Sequence, residues 1–148
     1  MKESTRQILA RCDFPDSYEF PPRFDYAGFE SRAQSVDRRL REHLGERTTF
    51  EGAVHNQDAS FGIAICLHTH EQCRSGGLFL PCLRFSNFGD LVSMTFSDLV
   101  PEDRHSEIEA AVREKGFTFI PEEELDEPYD GVMSGKFRTW WIRYFDWL

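Results

Sequence analysis

Residues 77–99 constrain the fold more than any other stretch, because they combine two apolar runs with a short turn between them. The second run alternates apolar and polar residues with a period of two, which predicts a strand with one buried face. The positions predicted to face the core are Val92, Met94 and Phe96. In the first run the residues on both faces of the strand are apolar, as in an interior strand. Its Pro81 requires a bulge or a strand that begins after it. Residues 86–90 are the predicted turn of a β-hairpin, in which Asn87 and Gly89 accept a positive φ.

Periodicity along the rest of the chain predicts the other elements. Further strands are expected at 48–54, 61–68 and 117–120. Helices are expected at 2–11, 26–44, 102–115 and 137–148. The sequence therefore predicts a single α+β domain over residues 1–148, with a mostly antiparallel sheet of about four to five strands covered by about three to four helices. Within it, residues 1–24 combine a short helix with a proline-rich extended segment, and residues 121–135 form an acidic loop.

Composition places the chain among ordinary globular domains. Its 148 residues are 40% hydrophobic and include 14 phenylalanines, enough to build one core without help from disulfides or metals. No apolar run approaches the ~20 residues of a membrane helix, and residues 1–5 are not followed by a signal-peptide core, so the chain is expected to be cytoplasmic. The four cysteines have no close pairing in sequence and are predicted to be reduced thiols.

The charge of the chain is negative and unevenly distributed. The net charge is −9, and residues 101–148 contain twelve Asp or Glu against six Lys or Arg. Such a field disfavours nucleic acid and anionic membranes as partners and favours a basic protein. The oligomeric state stays open at this point.

One cluster has the residue types of a metal site. If residues 66–70 are a strand, alternate side chains share a face, and a following cysteine adds a further ligand. The candidate zinc ligands are Cys66, His68, His70 and Cys73. Because zinc sites more often use two separated pairs, the alternative is a core cysteine beside solvated histidines and no cofactor.

Other catalytic signatures are missing from the sequence. There is no nucleophile elbow, glycine-rich phosphate loop or paired-histidine helix motif, so the chain is predicted not to be an enzyme. The acidic loop is expected to be solvated, and the aromatic C-terminus is expected to pack on the sheet while leaving Trp140 or Trp147 exposed. An acidic surface beside an exposed aromatic anchor suits protein binding. The predicted partner-binding residues are Glu122, Glu123, Glu124, Asp126, Glu127, Tyr129, Asp130, Trp140 and Trp147.

The last third of the chain resembles a known class of protein. The residues concerned are Phe119, Ile120, Pro121, Leu125, residues 128–131 and residues 139–146. In residue character they resemble the small acidic immunity proteins that bacteria encode beside polymorphic or contact-dependent toxins. The resemblance implies a cytoplasmic, stoichiometric inhibitor that binds the catalytic domain of a cognate toxin, often a basic nuclease. It assigns no binding residue by position, because such proteins do not share one fold.

Two further hypotheses come from other classes. The first is a zinc-dependent enzyme or a zinc-stabilised domain built on the four residues of the Cys/His cluster. The second is a non-catalytic scaffold or regulatory module, which shares most features of an inhibitor.

Overall fold

A five-stranded sheet forms the centre of the computed structural model, which describes residues 1–52 and 54–146. In chain order the strands are β1 (Thr48–Glu51), β2 (Phe61–Leu67), β3 (Gln72–Arg74), β4 (Gly77–Phe79), β5 (Cys82–Ser86), β6 (Leu91–Thr95) and β7 (Thr118–Phe119). The sheet order is β1-β2-β5-β6-β7, antiparallel except for the parallel pair of β6 and β7. The predicted α+β domain with a mostly antiparallel sheet is confirmed.

The predicted hairpin is formed by β5 and β6, which pair from Cys82 opposite Thr95 to Phe85 opposite Val92. The strand begins directly after Pro81, as the missing N–H of proline requires. In the turn, the left-handed positions are Gly89 and Asp90, with φ of 64° and 55°.

Two details of this stretch differ from expectation. The apolar run is divided, because β4 leaves the main sheet and pairs with β3 in a separate two-stranded sheet. The second strand ends at Thr95, and the φ of Phe96 is 52°, so that its side chain turns outward and is 44% exposed. There it contacts the ring of Phe79 at 5.3 Å between centroids instead of entering the core.

Five helices within the described residues cover the sheet. They are α1 (Glu3–Arg11), α2 (Tyr26–Leu44), α3 (Glu102–Glu114), α4 (Glu122–Leu125) and α5 (Trp140–Phe145). The long helix α2 has the predicted caps, because the Asp25 carboxylate accepts from the Gly28 N–H at 3.1 Å and Gly45 ends the helix with a φ of 68°. The crossover through α3 makes β7 parallel to β6, a pairing that strand adjacency in sequence did not predict.

The core has two main parts. In the first, β2 and β5 place alternate residues such as Ile65 and Phe85 against α2 and α3. In the second, α1, α4 and α5 enclose a cluster of aromatics that includes Phe88 and Tyr144. The predicted C-terminal helix from residue 137 is shorter than expected, because Thr139 caps α5 by accepting from the Ile142 N–H at 3.3 Å. Its predicted residues 147 and 148, like residue 53 of the strand predicted at 48–54, lie outside the described residues.

A buried ion pair joins the two ends of the chain inside the second part of the core. Arg143 Nε donates to Asp13 Oδ1 at 2.9 Å, and both side chains are buried. The other carboxylate oxygen of Asp13 accepts from the Tyr129 hydroxyl at 2.6 Å and from the Val132 N–H at 2.9 Å. Gly131 permits this approach, because a Cβ there would collide with the Asp13 carboxylate.

The predicted acidic loop at 121–135 is therefore not a solvated loop. Its first residues form α4, and Leu125, Tyr129 and Met133 belong to the core. These three residues are four positions apart, but Pro128 and Gly131 argue against a helix through them, so the spacing did not mark the segment as core in sequence.

The prediction of four reduced thiols is also wrong. Cys66 and Cys82 lie opposite each other on β2 and β5 and form a disulfide, whereas Cys12 and Cys73 are free. Only the pairing of the two strands brings together cysteines that are 16 positions apart. None of the described helices is both long enough and apolar enough to cross a bilayer.

We expect reduction of the disulfide to lower the free energy of unfolding by about 3 kcal/mol, the loop-closure value for a loop of this length. Urea unfolding with and without dithiothreitol measures the difference. The control is the Cys66→Ala, Cys82→Ala double variant, whose unfolding midpoint should not respond to the reductant. Equal midpoints for the unmodified protein, or four titratable thiols in the denatured unreduced protein, would contradict the bridge.

We expect Asp13→Asn to cost about 3 to 5 kcal/mol, because it leaves the buried Arg143 cation without its counterion. The double variant with Arg143→Met should recover part of that loss, giving a coupling energy above about 1 kcal/mol in a double-mutant cycle. The matched control is the exposed pair of Arg6 and Asp130, whose coupling should stay below about 1 kcal/mol. Additive losses at Asp13 and Arg143 would contradict the assignment.

Candidate functional site

The four candidate zinc ligands are held in different ways. The strand predicted through residue 70 ends at Leu67, and His68–His70 form a 3-10 turn, so alternate side chains do not share a strand face there. The Cys66 sulfur is bonded to Cys82, and Cys73 is exposed on β3. His70 Nε2 lies 3.1 Å from the buried Glu46 carboxylate. Across residues 1–52 and 54–146, no three His, Cys, Asp or Glu side chains are grouped to hold a metal ion.

Three of the six acids of the predicted partner-binding set pair with α1 or with the two residues before it. Glu124 contacts the Lys2 ammonium at 2.9 Å, and Asp130 pairs with Arg6. Glu127 lies 3.2 Å from the Met1 amino group. Glu122 is half-buried, and this burial raises its pKa. The two remaining acids, Glu123 and Asp126, are exposed.

The two members of that set that are aromatic and lie within the described residues, Tyr129 and Trp140, are buried. Trp140 is 1% exposed and stacks on Tyr144, so the prediction that it is an exposed anchor is wrong. Tyr129 is buried as the donor to Asp13, and burial raises its pKa to about 12, which keeps the donating proton in place. Trp147 lies outside the described residues, and Trp141 retains partial exposure beside Arg84.

A large open cleft lies at the end of the sheet where β5 turns into β6. Its volume is about 1020 Å³, and it is lined by residues 16–24, residues 56–59, Tyr26, Gly62 and Asn87. Recognition sites in proteins are commonly concave, with apolar walls and a few convergent polar groups. We call it the strap cleft, because residues 13–24, the strap, form one wall in an irregular conformation.

The strap is held in place by hydrogen bonds to its backbone. Arg143 donates to the carbonyl oxygens of Phe14 at 3.3 Å and Tyr18 at 3.5 Å. Asn87 Nδ2 donates to the Glu19 carbonyl oxygen at 2.6 Å. Because prolines 21 and 22 cannot donate a backbone hydrogen bond, the strap follows these side-chain contacts instead of a helix or a strand ladder.

Both asparagines of the chain, Asn56 and Asn87, lie in the cleft lining, and both are 8% exposed. Among the described residues, Asn56 Nδ2 and Asn87 Oδ1 have no hydrogen-bond partner. Gly62 makes room for the second, since a Cβ at that position would collide with Asn87 Oδ1. A buried donor or acceptor without a partner costs about 1 to 3 kcal/mol, so an unpaired donor and an unpaired acceptor in one cleft call for a functional explanation.

The rest of the lining is aromatic and acidic. Tyr18 and Phe20 are 41% and 56% exposed, which is unusual for side chains of this size. Three carboxylates, from Asp16, Glu19 and Asp58, outnumber the single guanidinium of Arg23. The φ angles of Asp16, Arg23 and Asp58 are also positive, between 56° and 61°. Backbone strain of this kind is often concentrated at ligand-binding positions.

The sequence did not reveal this site, because the strap and residues 56–59 were both assigned to segments that connect predicted helices and strands. Residues 56–58 lie between two predicted strands, and Asn87 is predicted to be a positive-φ turn residue, whereas Asn87 acts through its side-chain amide. The signal that was present is compositional. The chain has only two asparagines. The proline-rich strap also contains several aromatic residues, which are unusual in a solvated linker.

The pH dependence of stability tests how the acidic segment is used. Burial opposes ionisation of Glu124, but hydrogen bonds from Thr5 and Lys2 outweigh it and lower its pKa from 4.5 to about 2. Because the folded pKa is the lower one, the stabilisation is present above pH 4.5 and is lost as the pH falls toward 2. We expect the unmodified protein to lose about 1 to 2 kcal/mol more than Glu124→Gln over this window in urea unfolding. The exposed Glu123→Gln is the control and should follow the unmodified profile, and a Glu124→Gln profile equal to both would contradict the assignment.

Comparison with known proteins adds no family to this geometry. No protein-family model, no curated protein and no solved structure matches the chain.

Proposed function

We propose that this chain is an immunity-type protein, which binds the catalytic domain of a cognate bacterial toxin stoichiometrically and neutralises it without catalysis of its own. The observation that carries the proposal is the strap cleft, an open acidic concavity with exposed aromatic side chains. Aromatic residues are enriched among the side chains that dominate binding energy at protein interfaces.

The charge of the chain supports a basic partner. With a net charge of −9, the protein attracts cationic surfaces over about a Debye length, which accelerates encounter with a basic domain. Glu123 and Asp126 on and after α4 are exposed and contribute to this field. Glu124, Glu127 and Asp130 are partly neutralised by Lys2, the Met1 amino group and Arg6, so the steering is distributed over the surface.

The scaffold supports inhibition by binding. The Asp13–Arg143 pair fixes one end of the strap, and the disulfide joins the two central strands. Because the sheet and the anchored end of the strap are held in place before binding, the conformational entropy lost on association is limited to the rest of the strap, which favours high affinity.

A genetic experiment tests the proposal directly. Immunity proteins of this class are encoded beside their toxins, so the neighbouring gene product is expressed in a bacterial host with and without this chain. We expect growth arrest without it, growth with it, and a one-to-one complex by native mass spectrometry. A neighbour that is harmless, or one whose toxicity the chain does not relieve, would overturn the proposal.

A kinetic prediction concerns the exposed acids. We expect Glu123→Gln with Asp126→Asn to slow association with that partner about 2- to 3-fold at low salt, and the difference to disappear at high salt. The matched control is Glu102→Gln with Asp103→Asn, which removes two exposed charges from the start of α3. If the control slows association equally, the α4 region has no special steering role.

A further inference from the structure

We infer that the strap cleft binds a segment of the partner protein that carries a basic side chain, and that the two asparagine side chains in the cleft hydrogen-bond the main chain of that segment. Because it specifies what the partner presents, this inference rests on the proposed function.

The unpaired amide atoms define which hydrogen-bonding groups the ligand must supply. Asn56 Nδ2 requires an acceptor, and Asn87 Oδ1 requires a donor. A peptide unit presents one C=O and one N–H, so an inserted main chain supplies both at once. The Asn87 Nδ2 group donates to the Glu19 and Ala59 carbonyl oxygens, at 2.6 and 3.4 Å, and the bond to Ala59, which lies outside the strap, keeps Oδ1 as the available acceptor when the strap moves.

The two atoms are shielded from water, so a peptide reaches them only when the cleft lining rearranges. The strap allows this, because it is irregular and is held near the cleft by individual hydrogen bonds from Asn87 and Arg143 to its carbonyl groups. Displacement of a segment held in this way is less costly than opening a strand ladder.

The walls define the side chain of the ligand. Asp16, Glu19 and Asp58 give the lining an excess of negative charge, which repels phosphates and carboxylates and attracts lysine or arginine. The exposed rings of Tyr18 and Phe20 offer faces on which a guanidinium or ammonium gains a cation–π contact. These groups lie in the same cleft as the amides, so one short segment can engage both.

The two asparagines make a selective experiment possible. Protein labelled with ¹⁵N at asparagine alone shows two side-chain amide groups, both from the strap cleft, and Asn56→Asp assigns them by removing one. The probes are the capped tripeptides acetyl-Ala-Arg-Ala-amide, acetyl-Ala-Ala-Ala-amide and acetyl-Ala-Glu-Ala-amide, each titrated to about 20 mM.

We expect the arginine peptide to shift both side-chain amide signals saturably, with the alanine peptide at least about 3-fold weaker and the glutamate peptide weaker still. Asp16→Gly with Asp58→Gly should weaken the arginine peptide by about 3- to 10-fold, because glycine tolerates the same positive φ, removes the charge and adds no asparagine signal. The control Glu102→Gln with Asp103→Ser, which also adds no asparagine, should leave the binding unchanged.

The inference fails if no peptide moves the asparagine signals, or if the three peptides bind equally. It also fails if guanidinium chloride alone reproduces the shifts of the arginine peptide, since the main chain then plays no part. A neutralising complex with the neighbouring gene product in which the asparagine signals do not move would overturn this inference and leave the proposed function standing. Peptide binding together with a neighbouring gene product that is not toxic would overturn the proposed function and leave the peptide site standing.

Discussion

The buried contact between Asp13 and Arg143 is the interaction on which the arrangement of both chain ends depends. A carboxylate and a guanidinium placed in an aromatic core are tolerated only if nearly all their hydrogen-bonding capacity is used. Here the carboxylate accepts from Arg143, Tyr129 and the Val132 N–H, while Arg143 also donates to strap carbonyls and lies over the Phe88 ring at 4.2 Å. The pair therefore fixes the strap, α5 and the turn after Tyr129 against one another.

This constraint explains residues that otherwise look unrelated. The sequence Pro-Tyr-Asp-Gly at 128–131 resembled a surface turn, yet the tyrosine is a buried donor and the glycine provides the space in which Asp13 sits. Asp130 faces outward to Arg6, and Glu124 is held by Lys2 and Thr5, so α1 neutralises much of the segment that looked like an acidic patch. The acidity of this region is partly structural, which weakens any argument that assigns it wholly to a partner.

The part of the fold that was predictable from sequence is the part specified locally. The cap at Asp25, the stop at Gly45 and the alternation in β6 are signals within a few residues of the structure they determine. The disulfide, the Asp13–Arg143 pair and the parallel strand β7 each join residues that are distant in sequence, and no periodicity reports them. The candidate site belongs to this second class, because its lining comes from the strap, the 56–59 segment and the hairpin turn.

The strap cleft combines a fixed floor with an adjustable outer wall. Its floor is the sheet end, where the Asn87 N–H donates to the Ser60 carbonyl oxygen at 3.0 Å and the Asn87 amide packs closely on Gly62. Its outer wall is the strap, whose residues satisfy side-chain donors instead of a ladder. At its start the strap is held by the buried Arg143, which donates to the Phe14 carbonyl oxygen. Further along, its contact with Asn87 is one hydrogen bond to the Glu19 carbonyl oxygen, so this part can adjust to a ligand without disturbing the core. The Asn87 amide thus joins the wall to the sheet, since its nitrogen donates to the Glu19 carbonyl oxygen while its oxygen has no partner among the described residues.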